Sequence, residues 1–336
     1  MNSEQNLLNV LTREGVLIKV SVRFWRGTKK LKPEDIGLDP GDLSDRLISL
    51  GHKRLLPKEA LSGLALVEGR AHALVEANTF PFLNGLAHFL PNAKLGEVTE
   101  KLKELEGDFW KARDQFLNDY RKLREDASKE WRTLAGRLAP DPERLVSVIE
   151  ASFPGPGVMN RFFGFDLQLF QISAPERLGM DLAELGDHEA VMTARREAAA
   201  AASRKIREDA EAFVADCVAT LREQTATLCD EMLASIRTSE TGVHQKTLNR
   251  LVHFLDRFKA MNFANDGEME QRLQEVRAEL LSRTAEEYRN SSYARNQLTQ
   301  GLRNLSQHAR ELAQADTRQL VRSFGEMGRR RFSLAA

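Results

Sequence analysis

The sequence predicts a mainly α protein: an elongated antiparallel helical bundle or coiled coil, with a small two-stranded β element and a helical N-terminal subdomain. Apolar residues recur at steps of three and four over segments of about 45 to 60 residues. Helix-favouring Ala, Leu, Glu, Gln and Arg dominate, and aromatic content is 7%. Only one segment, Gly15–Arg26, alternates convincingly at period two. The 336 residues, 42% hydrophobic and 29% charged, are enough for a substantial core. Five segments follow from composition: 1–92 as a small α+β subdomain, 93–138 as a long helix, 139–186 as a Pro/Gly- and Phe-rich insertion packing on the subdomain, 187–325 as a helical bundle, and 326–336 as a basic tail.

In the first segment, Val16, Ile18, Val20, Val22 and Phe24 share one face of the strand, and Leu17, Lys19, Ser21, Arg23 and Trp25 the other. Lys29 to Gly37 reads as loop, followed by short helices around Asp42–Leu50 and Pro57–Glu76, the latter with Pro57 as a first-turn proline. Phe80, Phe82, Leu83, Leu86, Phe89 and Leu90 form an aromatic knot before Pro91.

Lys94–Leu138 is a continuous amphipathic helix whose apolar line runs Val98, Leu102, Leu105, Phe109, Phe116, Tyr120, Ala127, Trp131, Leu134 and Leu138. Its repeat drifts toward eleven residues, which favours nearly straight packing over a steep left-handed supercoil. Pro140 and Pro142 end it, and Phe163–Ile172 supplies a second strand to pair with Gly15–Arg26. From Asp187 a helix near 50 residues buries Ile206, Ala210, Phe213, Cys217, Leu221, Leu228, Met232 and Ile236. After a turn at Ser239–Gly242 comes Val243–Phe263, then a turn at Asn265-Asp266-Gly267 and a last helix to Phe324 that bends at Asn290-Ser291-Ser292. The helices Lys94–Leu138, Asp187–Arg237 and Gly267–Phe324 are expected to pack side by side, because their lengths and apolar stripes match.

The charge balance excludes a global field. Lys+Arg and Asp+Glu each total 49, so any electrostatic binding is local. Cys217 and Cys229, twelve residues apart on one helix, lie roughly 18 Å apart and cannot form a disulfide with each other. Reduced thiols, no apolar run of membrane-spanning length and a start without signal-peptide character give a cytoplasmic expectation. The chain contains no phosphate-binding Gly-x-x-x-x-Gly-Lys loop, no Gly-x-Ser-x-Gly elbow, no His-Glu-x-x-His and no Cys-x-x-Cys, and its seven histidines show no ligand spacing. No enzyme activity, cofactor or metal is therefore expected.

One surface stands out. Lys246, Arg250, His253 and Arg257 fall at i, i+4, i+7 and i+11. At ~100° per residue they share about 60° of a helix whose other face carries Leu248, Leu251, Leu255 and Phe258. The ordinary reading is a solvated face with acidic neighbours on another helix; the functional ones are a docking site for an acidic protein partner and, after it, a site for a phosphate-rich ligand. Arg23, Trp25 and Arg26 on the strand form a second candidate partner-binding group. Arg318, Arg322 and Arg329-Arg330-Arg331 at the end read as a solubilising tail.

The segments Val-Arg-Phe-Trp-Arg-Gly-Thr-Lys-Lys-Leu (22–31), Phe80–Pro91, Val-His-Gln-Lys-Thr-Leu-Asn-Arg-Leu (243–251) and Phe-Lys-Ala-Met-Asn-Phe-Ala-Asn-Asp (258–266) carry a resemblance. Together they resemble a bacterial domain-of-unknown-function family found on integrative conjugative elements and prophages. The genes of that family often lie beside a MoxR/CobS-like AAA+ ATPase and a CobT-like von Willebrand factor A protein. The family has no established catalytic residues, so the resemblance transfers none. It implies a non-enzymatic adaptor or substrate-recognition subunit of such a system on a mobile element, with phage defence as one setting. The alternative is a nucleic-acid-binding accessory protein of the element, supported by the basic helix and the arginine tail.

Overall fold

The computed structural model describes residues 3–39, 41, 48–82, 85–171, 189–239 and 242–332. In chain order the N-terminal elements are α1 (Ser3–Glu14), β1 (Gly15–Arg23), β2 (Thr28–Lys30), β3 (His52–Arg54), α2 (Ser62–Asn78), β4 (Phe80–Phe82) and β5 (Ala87–Pro91). Then come α3 (Asn92–Leu138), α4 (Pro142–Ala151), α5 (Pro156–Met159) and β6 (Gly164–Phe170). The remainder is helical: α6 (Glu189–Thr238), α7 (Gln245–Met261), α8 (Gly267–Leu280), α9 (Ala285–Asn290), α10 (Ser292–Gln314) and α11 (Arg318–Phe332). The fold is mainly α with a small antiparallel sheet, as expected, and among the described residues no helix is long and apolar enough to cross a membrane.

The chain forms two compact units, Met1–Ile18 with Asn78–Gly96 and Leu169–Ala336, and Lys19–Ala77 with Glu97–Gln168. In the first, β4 and β5 make an antiparallel hairpin, and β1 begins alongside β5, with Gly15 opposite Pro91 and Ile18 opposite His88. Gly15 permits that approach, since a Cβ there would lie 2.5 Å from the Leu90 carbonyl oxygen. The aromatic knot is thus a hairpin. Its inward rings meet the helices: Phe82 sits 4.7 Å from Phe213, Phe89 sits 4.7 Å from Phe263, and Phe263 sits 5.8 Å from Phe324. The sheet has four strands in the order β4-β5-β1-β6, where the sequence suggested two. The expected neighbour of β1 is nevertheless there, in β6.

The longest helical seam of the first unit runs between α6 and α10. Leu298, Leu302, Leu305 and Ala309 of α10 are buried, together with Val214, Val218, Leu221 and Cys229 of α6. Polar bonds set its register. Ser306 Oγ donates to Asp230 at 2.8 Å, and Arg310 pairs with the same carboxylate. Arg222, two turns earlier on α6, donates to the Leu312 carbonyl at 2.6 Å. The same guanidinium pairs bidentately with Asp266, at 2.7 and 3.1 Å, with both side chains buried. Asp266 in turn caps α8 by accepting from the Met269 N–H, while Asn262 accepts from the Asp266 N–H at 2.8 Å. The Asn262–Asp266 turn is therefore a structural lock on α6, α8 and α10.

The final helix expected over Gly267–Phe324 is divided. α8 stops at Leu280, where the Tyr288 hydroxyl donates to the Leu280 carbonyl at 2.6 Å. Thr284 and Glu287 form a capping box that starts α9, and Ser291 caps α10 at the expected bend. α11 then packs on α1 and α6. Of the three long helices expected to lie together, the last packs on the second within the first unit, α10 against α6 and α8.

The second unit is organised on α3. Val98, Leu102, Phe109, Phe116, Tyr120 and Ala127 are buried as the apolar stripe predicts, while Leu134 and Leu138 near the helix end are exposed. The Phe116 ring lies tilted 5.9 Å from Phe163 and the Phe109 ring tilted 5.8 Å from Phe165, which covers the helix with β6 and the turn before it. The segment read as loop holds β2 and a 3-10 turn at Pro33–Ile36, and β2 pairs antiparallel with β3. A 3-10 turn over Lys58–Leu61 precedes α2, so Pro57 sits ahead of that turn. Residues 42–47 of the helix expected over Asp42–Leu50, residues 240 and 241 of the Ser239–Gly242 turn, and the beginning of the helix expected from Asp187 lie outside the described residues.

Candidate functional site

The basic stripe lies on α7, which packs on α6 and α8 through a strongly amphipathic face. Leu248, Leu251, Leu255 and Phe258 are all buried there, as the spacing predicts. Lys246, Arg250 and His253 are exposed, and Arg257 is half-buried. The helix therefore holds four basic residues on one side because its apolar residues fix the other.

A groove of about 490 Å³ runs between α6 and α7, with Leu228 and Phe254 at its apolar parts and Arg250, His253 and Arg257 along one wall. Glu231 of α6 pairs with Arg250, the ordinary solvated ion pair that such a face provides. Arg257 differs. Among the described residues it makes no ion pair or hydrogen bond, and its Nε is buried without an acceptor. Burial holds its pKa below the usual arginine value, with no nearby charge offsetting that effect. A guanidinium taken partly out of water normally acquires a carboxylate or carbonyl partner, because the desolvation cost otherwise stands uncompensated. Here the groove leaves that place open. A carboxylate entering it could take the planar, bidentate geometry that suits arginine.

The second candidate group does not assemble into a surface. Trp25, expected as a partner contact, is 7% exposed and packs against Phe116, Tyr120 and Phe153 with ring centroids 6.0–6.3 Å away. Its position on the polar side of the strand is covered by α3 and by the segment after α4, so it is a core residue. Arg26 is an ion-pair partner of Glu68 on α2 and lies 4.0 Å over the Phe24 ring. The hydrogen bond to Glu68 raises its pKa. Arg23 is exposed and lies over Gly164 of β6, where an added Cβ would fall 2.8 Å from its guanidinium nitrogen. The arginine run 329–331 lies within α11.

Among the described residues no three His, Cys, Asp or Glu side chains gather in a way that could hold a metal ion. Cys217 and Cys229 are both buried, and burial pushes the Cys229 thiol up to about 12 and the Cys217 thiol well above its ordinary value. Neither is poised as a nucleophile. Two features were missed from sequence: the burial of Arg257 and the Arg222–Asp266 pair. The second had a legible trace in Asn265-Asp266-Gly267, where an Asp precedes a helix start.

The chain belongs to the family described as "Protein of unknown function (DUF3150)", which matches residues 12–306. No curated protein and no solved structure matches it.

Proposed function

We propose that this family member is a non-enzymatic adaptor or substrate-recognition subunit whose α7 face docks an acidic segment of a protein partner. The observation that supports this most directly is Arg257, a half-buried cation in an open groove with no counter-ion of its own. Lys246, Arg250 and His253 extend the same positive stripe along the helix and would steer an acidic partner towards it. The partner class comes from the sequence resemblance: a AAA+ ATPase, a von Willebrand factor A protein or both, of the kinds often encoded beside members of the resembled family on mobile elements. Phage defence is a setting that fits such an assembly.

The test is capture of the neighbouring ATPase and von Willebrand factor A protein by the intact chain after nuclease treatment, compared with Arg257→Met and with Lys246→Glu/Arg250→Glu. Arg257→Met removes an uncompensated buried charge, so the variant should melt no lower than the parent, yet bind the partner at least tenfold more weakly. Unchanged partner binding by both variants would remove the reading. A large drop in melting temperature for Arg257→Met would show instead that the guanidinium is structural.

A further inference from the structure

The β2–β3 ribbon of the second unit concentrates unpaired positive charge that the fold does not require. Thr28 faces Arg54, Lys29 faces Lys53 and Lys30 faces His52 across the two strands. Like charges opposite one another destabilise a ribbon. One of them is neutralised internally: Lys53 is buried and its Nζ lies 2.6 Å from the buried Asp35 carboxylate, which also accepts from the Lys32 N–H at 2.8 Å. Lys29, Lys30, Lys32 and Arg54 are exposed, and none of their side chains makes an ion pair among the described residues. His52 is exposed beside them.

The two strands are held in place by main-chain bonds beyond their own ladder, Leu31 N–H to Gly51 at 3.1 Å and Leu55 N–H to Gly27 at 2.6 Å. Gly27 supplies the left-handed turn, φ 61°, that leads into β2. The half-buried Trp131 of α3 donates its indole N–H to the Arg54 carbonyl at 3.1 Å. The cations thus sit on a fixed scaffold. Glu34 and Asp39 are exposed acids of the following turn, and with Arg144 they line the same groove as Lys29, Lys30 and Lys32, whereas Arg54 and His52 lie outside it.

From this arrangement we infer that the ribbon is a nucleic-acid contact that grips the phosphate backbone through Lys29, Lys30, Lys32 and Arg54. The composition of the ribbon favours that occupant over a protein. Protein interfaces place apolar and aromatic side chains at their centre and are depleted in lysine, whereas the ribbon and the residues just after β2 offer three lysines, an arginine and a histidine, Lys30, His52 and Arg54 on one face and Lys29 on the other, with no exposed apolar side chain on either strand. It is also independent of the α7 groove, whose single unsatisfied arginine and apolar floor suit a carboxylate-bearing segment. Contacts of this kind position a duplex without reading its sequence.

Four phosphate contacts predict a log–log salt slope of about −3.6, so duplex affinity should fall about 10²-fold between about 50 and 200 mM salt. The experiment is fluorescence anisotropy of a labelled duplex of about 20 base pairs with the full chain at both salt concentrations. Lys30→Gln/Arg54→Gln should halve the slope to about −1.8, leaving about a tenfold salt effect, while Lys246→Gln/Arg250→Gln should leave it unchanged. Lys29→Gln/Lys32→Gln is the second pair, read in the same way if the first does not fold. No binding at low salt, a slope unchanged by both ribbon pairs, or a slope reduced by the α7 pair alone would each overturn the assignment. Displacement of the duplex by polyglutamate at equal charge concentration, with tighter binding of the polypeptide, would overturn it in favour of an acidic protein.

Discussion

Replacing Asp266 should unfold the first unit more readily than any surface change, because that carboxylate caps α8 and anchors Arg222 of α6, which in turn holds α10. It accepts from Arg222 at 2.7 and 3.1 Å and from the Met269 N–H at 3.4 Å, with 2% of its side chain exposed against 6% for Arg222. Removing one member of a buried pair costs about 3–5 kcal/mol, since the other is left charged in a dry place, and losing an N-cap costs ~1 kcal/mol. Asp266→Ala should therefore cost roughly 4–6 kcal/mol. Asp266→Asn keeps the cap oxygen and loses only the charge, so roughly 3 kcal/mol is expected. Arg222→Met/Asp266→Asn removes both charges and should recover to within about 1–2 kcal/mol of the parent. Urea unfolding followed by far-UV circular dichroism is the assay, because Trp25, Trp110 and Trp131 all belong to the second unit and their fluorescence does not report on this one. A cost below about 1 kcal/mol for Asp266→Ala, or a double variant no more stable than Asp266→Asn, would refute the claim that an orphaned Arg222 is the source of the loss.

Two further outcomes follow from packing and burial. With the Cys229 thiol raised to about 12, its thiolate fraction at pH 8 is on the order of 10⁻⁴, so Ellman's reagent should label neither cysteine until denaturant opens the helix, and rapid labelling of native protein would contradict their burial. Gly301→Ala would place a Cβ 2.7 Å from Leu280 Cδ1, and the overpacked α8–α10 contact should cost about 1–3 kcal/mol; an unchanged melting temperature would mean that Leu280 moves aside freely.

The long helices were legible because each carries many turns of the same apolar step. α3 begins and ends within two residues of expectation, and α6 ends within one. β1 was equally plain from its alternation, and its neighbour β6 from the second run of aromatic and aliphatic residues. The hairpin of β4 and β5 was not, because Pro81 and Pro91 argue against a ladder that turns out to place them at strand positions. β2 and β3 are three residues each and meet across more than twenty intervening residues, so neither period nor spacing announces them. The break after α8 did leave a trace, the Thr284-x-x-Glu287 capping box, hidden beneath an otherwise continuous apolar pattern. At the candidate site the stripe itself came from spacing. The burial of Arg257 depends on the α6 wall, more than twenty residues upstream, and Trp25 is covered by side chains from α3 and Phe153. Such tertiary neighbours leave no mark in a local window.

The apolar positions Leu298, Leu302, Leu305, Ala309 and Leu312 repeat every seven residues, so hydrophobic packing alone would accept α10 displaced along α6 by a full heptad. Asp230 cannot accept that displacement, because it must meet Ser306 and Arg310 together, and Arg222 must still reach Leu312. The distance between these anchors is thus a fixed length on both helices. A lineage that gained or lost one residue between Arg222 and Asp230 would rotate the rest of α6 by about 100° and pull an anchor away from its mate. Only a matched change between Ser306 and Leu312 would restore it. Length variation in this protein should consequently accumulate at the turns between helices and spare these two intervals, a pattern that helix propensity and hydrophobicity would not by themselves produce.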